Sequence, residues 1–138
     1  MSLATYIGTN QKIPTDDENP ELYDLEFWIG SCFSDESSQQ AALKYQFSTT
    51  YVYEISFHWG IELYDGQPHD RRSDSLKKLE SLFAIMESYV SAGDYFELYT
   101  CWLGEEAEPR EDELSIPMTE VKINEIQFVE KTLVRFVY

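Results

Sequence analysis

The residue pattern predicts an α+β fold, a largely antiparallel sheet with one main helix packed on one face, and three observations carry that expectation. From Tyr45 to Leu63 every odd position except Thr49 is Tyr, Phe, Ile, Trp or Leu, while the even positions include Gln46, Ser48, Glu54, Ser56, His58 and Glu62. A period of two over such a length is the mark of strand with one buried face. Leu76, Leu79, Leu82, Phe83, Met86 and Val90 recur at steps of three and four, which is the period of a helix with one apolar stripe. The aromatic share is 15%, and aromatic side chains favour pleated, half-buried strands.

The elements follow in order. The opening stretch, MSLATYIGTNQKIP, lacks the charged start and apolar run of a secretory leader and is assigned no element. Residues 14–24, PTDDENPELYD, hold two prolines and five acids and read as an exposed acidic loop. The first strand is expected at Leu25–Phe33, with Leu25, Phe27 and Ile29 on one face and Trp28 on the other. SDESSQQ, from Ser34 to Gln40, closes it as a loop or as the start of a short helix reaching Ala41–Leu43. The alternating run 45–63 would extend on the order of 60 Å, so it must bend or split, at Ser48–Thr50 or at Gly60.

Tyr64–Arg72 is turn chemistry, Asp-Gly followed by Pro and charges. The main helix is placed at about 74–92, capped by Ser73, Asp74 or Ser75 and stopped at Gly93, with Lys77, Lys78, Glu80, Glu87 and Ser88 outward. Asp94–Gly104 returns to strand, 105–113 is a solvated acidic loop, and 120–138 reads as two strands joined near Glu130–Lys131.

A chain of 138 residues is one ordinary domain, long enough to bury a core without metal or disulfide staples. Cys32 and Cys101 are far apart in apolar stretches and read as buried free thiols. No window approaches the run of apolar residues that a membrane span needs, and the expected location is the cytoplasm. The formal charge of −16 repels phosphate backbones and anionic lipid, which argues against nucleic acid and membrane and in favour of solubility, a basic protein partner or divalent cations.

For chemistry, HWGIELYDGQPHDRR (58–72) holds both histidines. His58 and His69 with Asp65 or Asp70 are the candidate site of a small hydrolase or metal-assisted enzyme. Against it, no HExxH, paired-Cys, Gly-rich phosphate loop or GxSxG pattern occurs, and no cofactor is implied. The acidic blocks are the stronger candidates. Glu105, Glu106, Glu108, Glu111, Asp112 and Glu113, flanked by Tyr99 and Trp102, form the expected partner-binding surface, with the aromatics as anchors.

FWIG at 27–30 followed by SDES at 34–37, together with HWGIELYD at 58–65, resembles the small α+β immunity proteins of bacterial polymorphic toxin systems. The resemblance implies a compact, acidic, non-catalytic binder that neutralises a cognate toxin domain, many such toxins being basic.

Overall fold

The structure is a computed structural model that describes residues 2–20, 28–30, 34–56 and 60–138. Cys32, His58 and most of the expected strand Leu25–Phe33 lie outside the described residues. The strands are β1 (Leu3–Thr9), β2 (Trp28–Ile29), β3 (Tyr51–Ser56), β4 (Tyr95–Trp102), β5 (Asp112–Pro117) and β6 (Thr132–Val137). They form one sheet in the order β2-β3-β1-β4-β6-β5, antiparallel throughout except for the parallel pair β5–β6. Helix α1 (Glu36–Tyr45) lies before β3, and α2 (His69–Met86) lies between β3 and β4. The fold is α+β, as the periodicities predict. No helix among the described residues is long and apolar enough to cross a membrane.

The element that organises the sheet is one the residue pattern does not announce. β1 pairs with β3 on one side and β4 on the other, and all seven of its residues are buried. A strand covered on both faces reads as a mixed run rather than an alternation, and LATYIGT mixes threonines with apolar residues. Its two faces meet different neighbours. Ile7 joins Ile55, Leu98, Phe96, Val134 and Phe136 under the α2 side chains Leu79, Leu82 and Met86. Phe96 and Phe136 stack with centroids 5.0 Å apart, and Phe83 meets Phe136 edge-on at 4.9 Å. Fully burying one such side chain is worth roughly 1.5–3 kcal/mol. On the opposite face Tyr6, Tyr99, Cys101 and Leu133 pack with Ala42 of α1 and with Phe47.

The main helix packs on one face as expected, and the shorter α1 covers the second. Because α1 lies over it, Glu54, at an even position of the alternating run, is fully buried rather than solvent-facing. Among the described residues of the run, 51–56 form strand. Tyr45 ends α1, and the break falls at Ser48–Thr50, one of the two expected places. At the other, Gly60 runs tight against the sheet, where an added Cβ would stand 3.0 Å from Leu3, Thr5 and Thr100. Beyond it Ile61 is held by side chains of the sheet, its N–H donating to Thr5 Oγ1 (2.9 Å) and its carbonyl accepting from Thr100 Oγ1 (3.0 Å).

The main helix starts five residues earlier than expected, at His69, and ends at Met86. Pro68 is its N-cap residue and no side chain caps it. The pyrrolidine fixes φ, and the Pro68 carbonyl accepts from Arg72 N–H, so neither Ser73, Asp74 nor Ser75 is needed. Gly93, φ +86°, serves the turn into β4 instead of capping the helix. Lys78, expected outside, is buried with its ammonium 2.8 Å from Asp74, and burial lowers its pKa. Asp35 caps α1 by accepting from Ser38 N–H at 2.8 Å, and that bond holds its carboxyl below the usual range. Towards the C-terminus, short 3₁₀ turns at 118–120 and 123–125 and an isolated bridge from Phe128 to Leu63 replace the first of the two expected strands. The turn at Glu130–Lys131 is present, with Lys131 at φ +61°.

Gly8 lets the 47–49 segment lie directly on β1, since a Cβ there would clash with Thr49 Oγ1 and stand 2.7 Å from the Phe47 ring. Gly8→Ala is expected to lower the stability by about 1–3 kcal/mol, read from the midpoint of urea denaturation.

Candidate functional site

The acidic segment 105–113 is not a free loop. Asp112 and Glu113 open β5, and Glu106 turns inward and is buried. The Glu106 carboxylate accepts from Tyr6 Oη (3.0 Å) and from the Gly104 backbone N–H (3.0 and 3.2 Å), with the Cys101 thiol 3.8 Å away. Burial first, and then the Glu106 charge, raise the pKa of both Tyr6 and Cys101, so phenol and thiol stay protonated beside the carboxylate.

Two further side chains strap the segment to the end of α1. Gln46 Nε2 donates to the carbonyls of Glu106 (2.9 Å) and Glu108 (2.7 Å). In return Arg110 Nη2 donates to the Gln46 carbonyl (2.7 Å), while Nη1 meets Glu113 at 2.8 Å. With both amide hydrogens used by carbonyls, the Gln46 amide has one orientation only, and its Oε1 is left buried without a hydrogen-bond partner among the described residues. Lys131 completes the frame, with Nζ 2.9 Å from Glu108 and 3.5 Å from Glu105. Its bond to Glu108 is the main reason its pKa is raised.

Of the six acids expected to meet a partner, Glu108, Glu111, Asp112 and Glu113 are exposed. Glu105 is half-buried beside Lys131, and Glu106 is withdrawn from any surface. The expected aromatic anchors fare unequally. Trp102 is half-buried at the end of β4, whereas Tyr99 is fully buried at the centre of the α1-side core and cannot touch a partner. Its ring meets Phe47 edge-on at 6.5 Å.

The histidine stretch lies only partly within the described residues. His69 and Asp70 are exposed in the first turn of α2, and Asp65 is exposed in the preceding turn, where it accepts from Gln127 Nε2 at 2.8 Å. Among the described residues no group of three or more His, Cys, Asp or Glu is placed to hold a metal ion.

Beside the acidic segment a groove of about 300 Å³ runs between the end of α1 and the β5–β6 edge, lined by Gln46, Phe47, Ser48, Arg110, Glu113 and Arg135 among others. At its base the Arg135 guanidinium lies over the Tyr95 ring, 4.6 Å from the centroid. Its Nε and Nη2 hold Glu97 Oε2 at 3.1 and 2.9 Å. Glu97 is fully buried and also accepts from the Ser48 N–H (2.8 Å) and Oγ (3.0 Å). Neither arginine nor Gln46 stands out in the sequence. The one available signal is scarcity: the chain has ten Lys and Arg together, and Arg110 sits alone among six acids.

Compared with family models, with curated proteins and with solved structures, the chain matches none of them.

Gln46→Ala removes the two side-chain hydrogen bonds to the acidic segment and leaves two carbonyls short of a donor, while the Arg110 bond to the backbone carbonyl of residue 46 remains. It is expected to cost about 1–3 kcal/mol and to speed amide hydrogen exchange across 105–111 well beyond the change in α2. Tyr99 and Tyr138 have pKa values pushed up to about 12 by burial, against about 10 in an unfolded chain. Their contribution to stability is therefore complete below about pH 10 and is lost as pH rises towards 12. Denaturation midpoints should fall through that window, with phenolate absorbance appearing late and together with unfolding.

Proposed function

We propose that this protein is a non-enzymatic acidic binder that holds a basic protein partner through the acidic segment at the start of β5. The partner is a toxin domain, and the protein is its immunity protein. The observation that carries this reading is the double strap between Gln46, Arg110 and residues 106–110. It presents Glu108, Glu111, Asp112 and Glu113 from a backbone held by hydrogen bonds. A segment already ordered loses little conformational entropy on binding, and clustered carboxylates accelerate the approach of a basic surface.

The distribution of charge supports the same face. Helix α2 carries four bases, Arg71, Arg72, Lys77 and Lys78, against three acids, Asp70, Asp74 and Glu80. The negative surplus therefore lies away from α2. β5, as the outermost strand, is also guarded against simple strand addition: Asp112 Oδ1 accepts from the Glu113 N–H at 2.8 Å, and Pro117 has no N–H to offer. A partner is met there by side chains rather than by a continued ladder.

The test is association with the toxin domain encoded beside the gene, followed by stopped flow at increasing salt. A complex that forms fastest at low salt, and at least about tenfold more slowly with the Glu108→Gln/Glu111→Gln/Glu113→Gln variant, is the expected outcome. No complex at low salt, or rates indifferent to both salt and the substitutions, overturns the reading.

A further inference from the structure

The groove beside the acidic segment differs in chemistry from its surroundings. In a chain of net charge −16 it is lined by two arginines and one carboxylate, Glu113. Both guanidiniums are held in place by some of their donors and keep others unused. Arg135 commits Nε and Nη2 to Glu97 and Ser48 and rests on the Tyr95 ring, leaving Nη1 without a hydrogen bond among the described residues. Arg110 commits Nη2 to the backbone carbonyls of Tyr45 and Gln46 and Nη1 to Glu113, leaving Nε without one among the described residues.

Fixed guanidiniums with free N–H groups suit an oxyanion, because the fork is planar and already oriented. The Arg135 side chain is 40% exposed and that of Arg110 26%, so an incoming anion can reach them. Glu113, 68% exposed, holds Arg110 through a surface ion pair. Such pairs contribute little, so an incoming anion can displace the Glu113 carboxylate into solvent. Glu97 cannot be displaced, since it is fully buried, and it keeps Arg135 in position.

The walls add a preference. Phe47, Leu114 and Leu133 line the same groove and offer apolar contact to a carbon stem. A volume of about 300 Å³ lies at the lower end of small-molecule sites, which span roughly 300–1,000 Å³, so the occupant is short. The surrounding negative potential is damped beyond a Debye length, about 8 Å at physiological ionic strength, whereas the guanidinium contacts act at hydrogen-bond range.

We propose that this groove binds a short organic carboxylate, with Arg135 and Arg110 as its two oxyanion donors. The site does not depend on the toxin partner, so its failure would leave the binding function described above untouched.

The probes are hexanoate, its neutral amide hexanamide, N-acetyl-leucine and inorganic phosphate, titrated into the ¹⁵N-labelled protein. Hexanoate is expected to shift the Nε–H signals of Arg110 and Arg135 and the backbone amides of Ser48 and Ser115, while hexanamide leaves them in place. Arg110→Lys keeps the charge but loses the fork, and is expected to weaken the hexanoate complex about tenfold. The melting temperature of that variant checks that it is folded. Arg135 is left intact because Glu97 relies on it. Tighter binding of N-acetyl-leucine than of hexanoate supports the site and assigns the carboxylate to a peptide C-terminus; the reverse supports it and assigns a free short-chain acid. Equal shifts with hexanamide, phosphate binding as tightly as hexanoate, or no shift at these residues with any probe overturns the proposal.

Discussion

A carboxylate sealed inside the sheet sets the terms for one whole side of this protein. Glu97 is the third residue of β4, opposite Gly8 on β1 and Arg135 on β6, with no exposure to solvent. A buried carboxylate costs several kcal/mol unless it is paired and hydrogen-bonded. Arg135 supplies the opposite charge from the neighbouring strand, and Ser48 supplies two donors from the segment after α1. Ser48 can reach only if residues 47–49 lie flat on β1, and they can lie flat only because position 8 has no side chain. Phe47 is thereby laid against Tyr99. Gln46 is carried to the place from which it straps the acidic segment. The order runs from one buried charge, through a glycine, to the presentation of the surface that we assign to a partner.

That arrangement divides the acidic residues into two populations. Asp16, Glu54, Glu97 and Glu106 are buried and act as fasteners between remote regions of the chain. Asp16 accepts from the Ile29 N–H at 2.8 Å and so ties the proline-rich arm to β2. Glu54 accepts from both the N–H and the hydroxyl of Ser34, just before α1. Glu106 ties the acidic segment to Tyr6 of β1. Acids such as Glu111 and Glu120 remain in solvent and supply the negative field of the surface. The net charge is thus a poor measure of the charged surface, because several carboxylates are engaged internally in hydrogen bonds.

The two functional proposals follow from the same straps. Arg110 keeps the acidic segment in place and at the same time carries unused N–H capacity into the neighbouring groove. Arg135 neutralises Glu97 and lines that groove as well. Under these proposals, carboxylates on one side and fixed guanidiniums on the other would discriminate between partners by pattern as well as by net sign.

The sequence by itself determined the period-two run of β3, the apolar stripe of α2, the strand character of β4 and β6, and that the alternating run must break at Ser48–Thr50 or at Gly60. These are properties of neighbouring residues, and local backbone geometry imposes them directly. It also determined that the segment 105–113 is strongly acidic. Only the tertiary structure decided that β1 is central, that α1 covers the second face, and that Glu54, Glu97 and Glu106 point inward while Glu108 and Glu111 point out. It alone decided that Tyr99 is core rather than anchor. The physical reason is distance along the chain. Gln46 meets Glu108 across 62 residues and Tyr6 meets Glu106 across 100. A glutamate that will find donors inside a sheet carries the same local signature as one that will stay in water, until the strand order brings those donors to it.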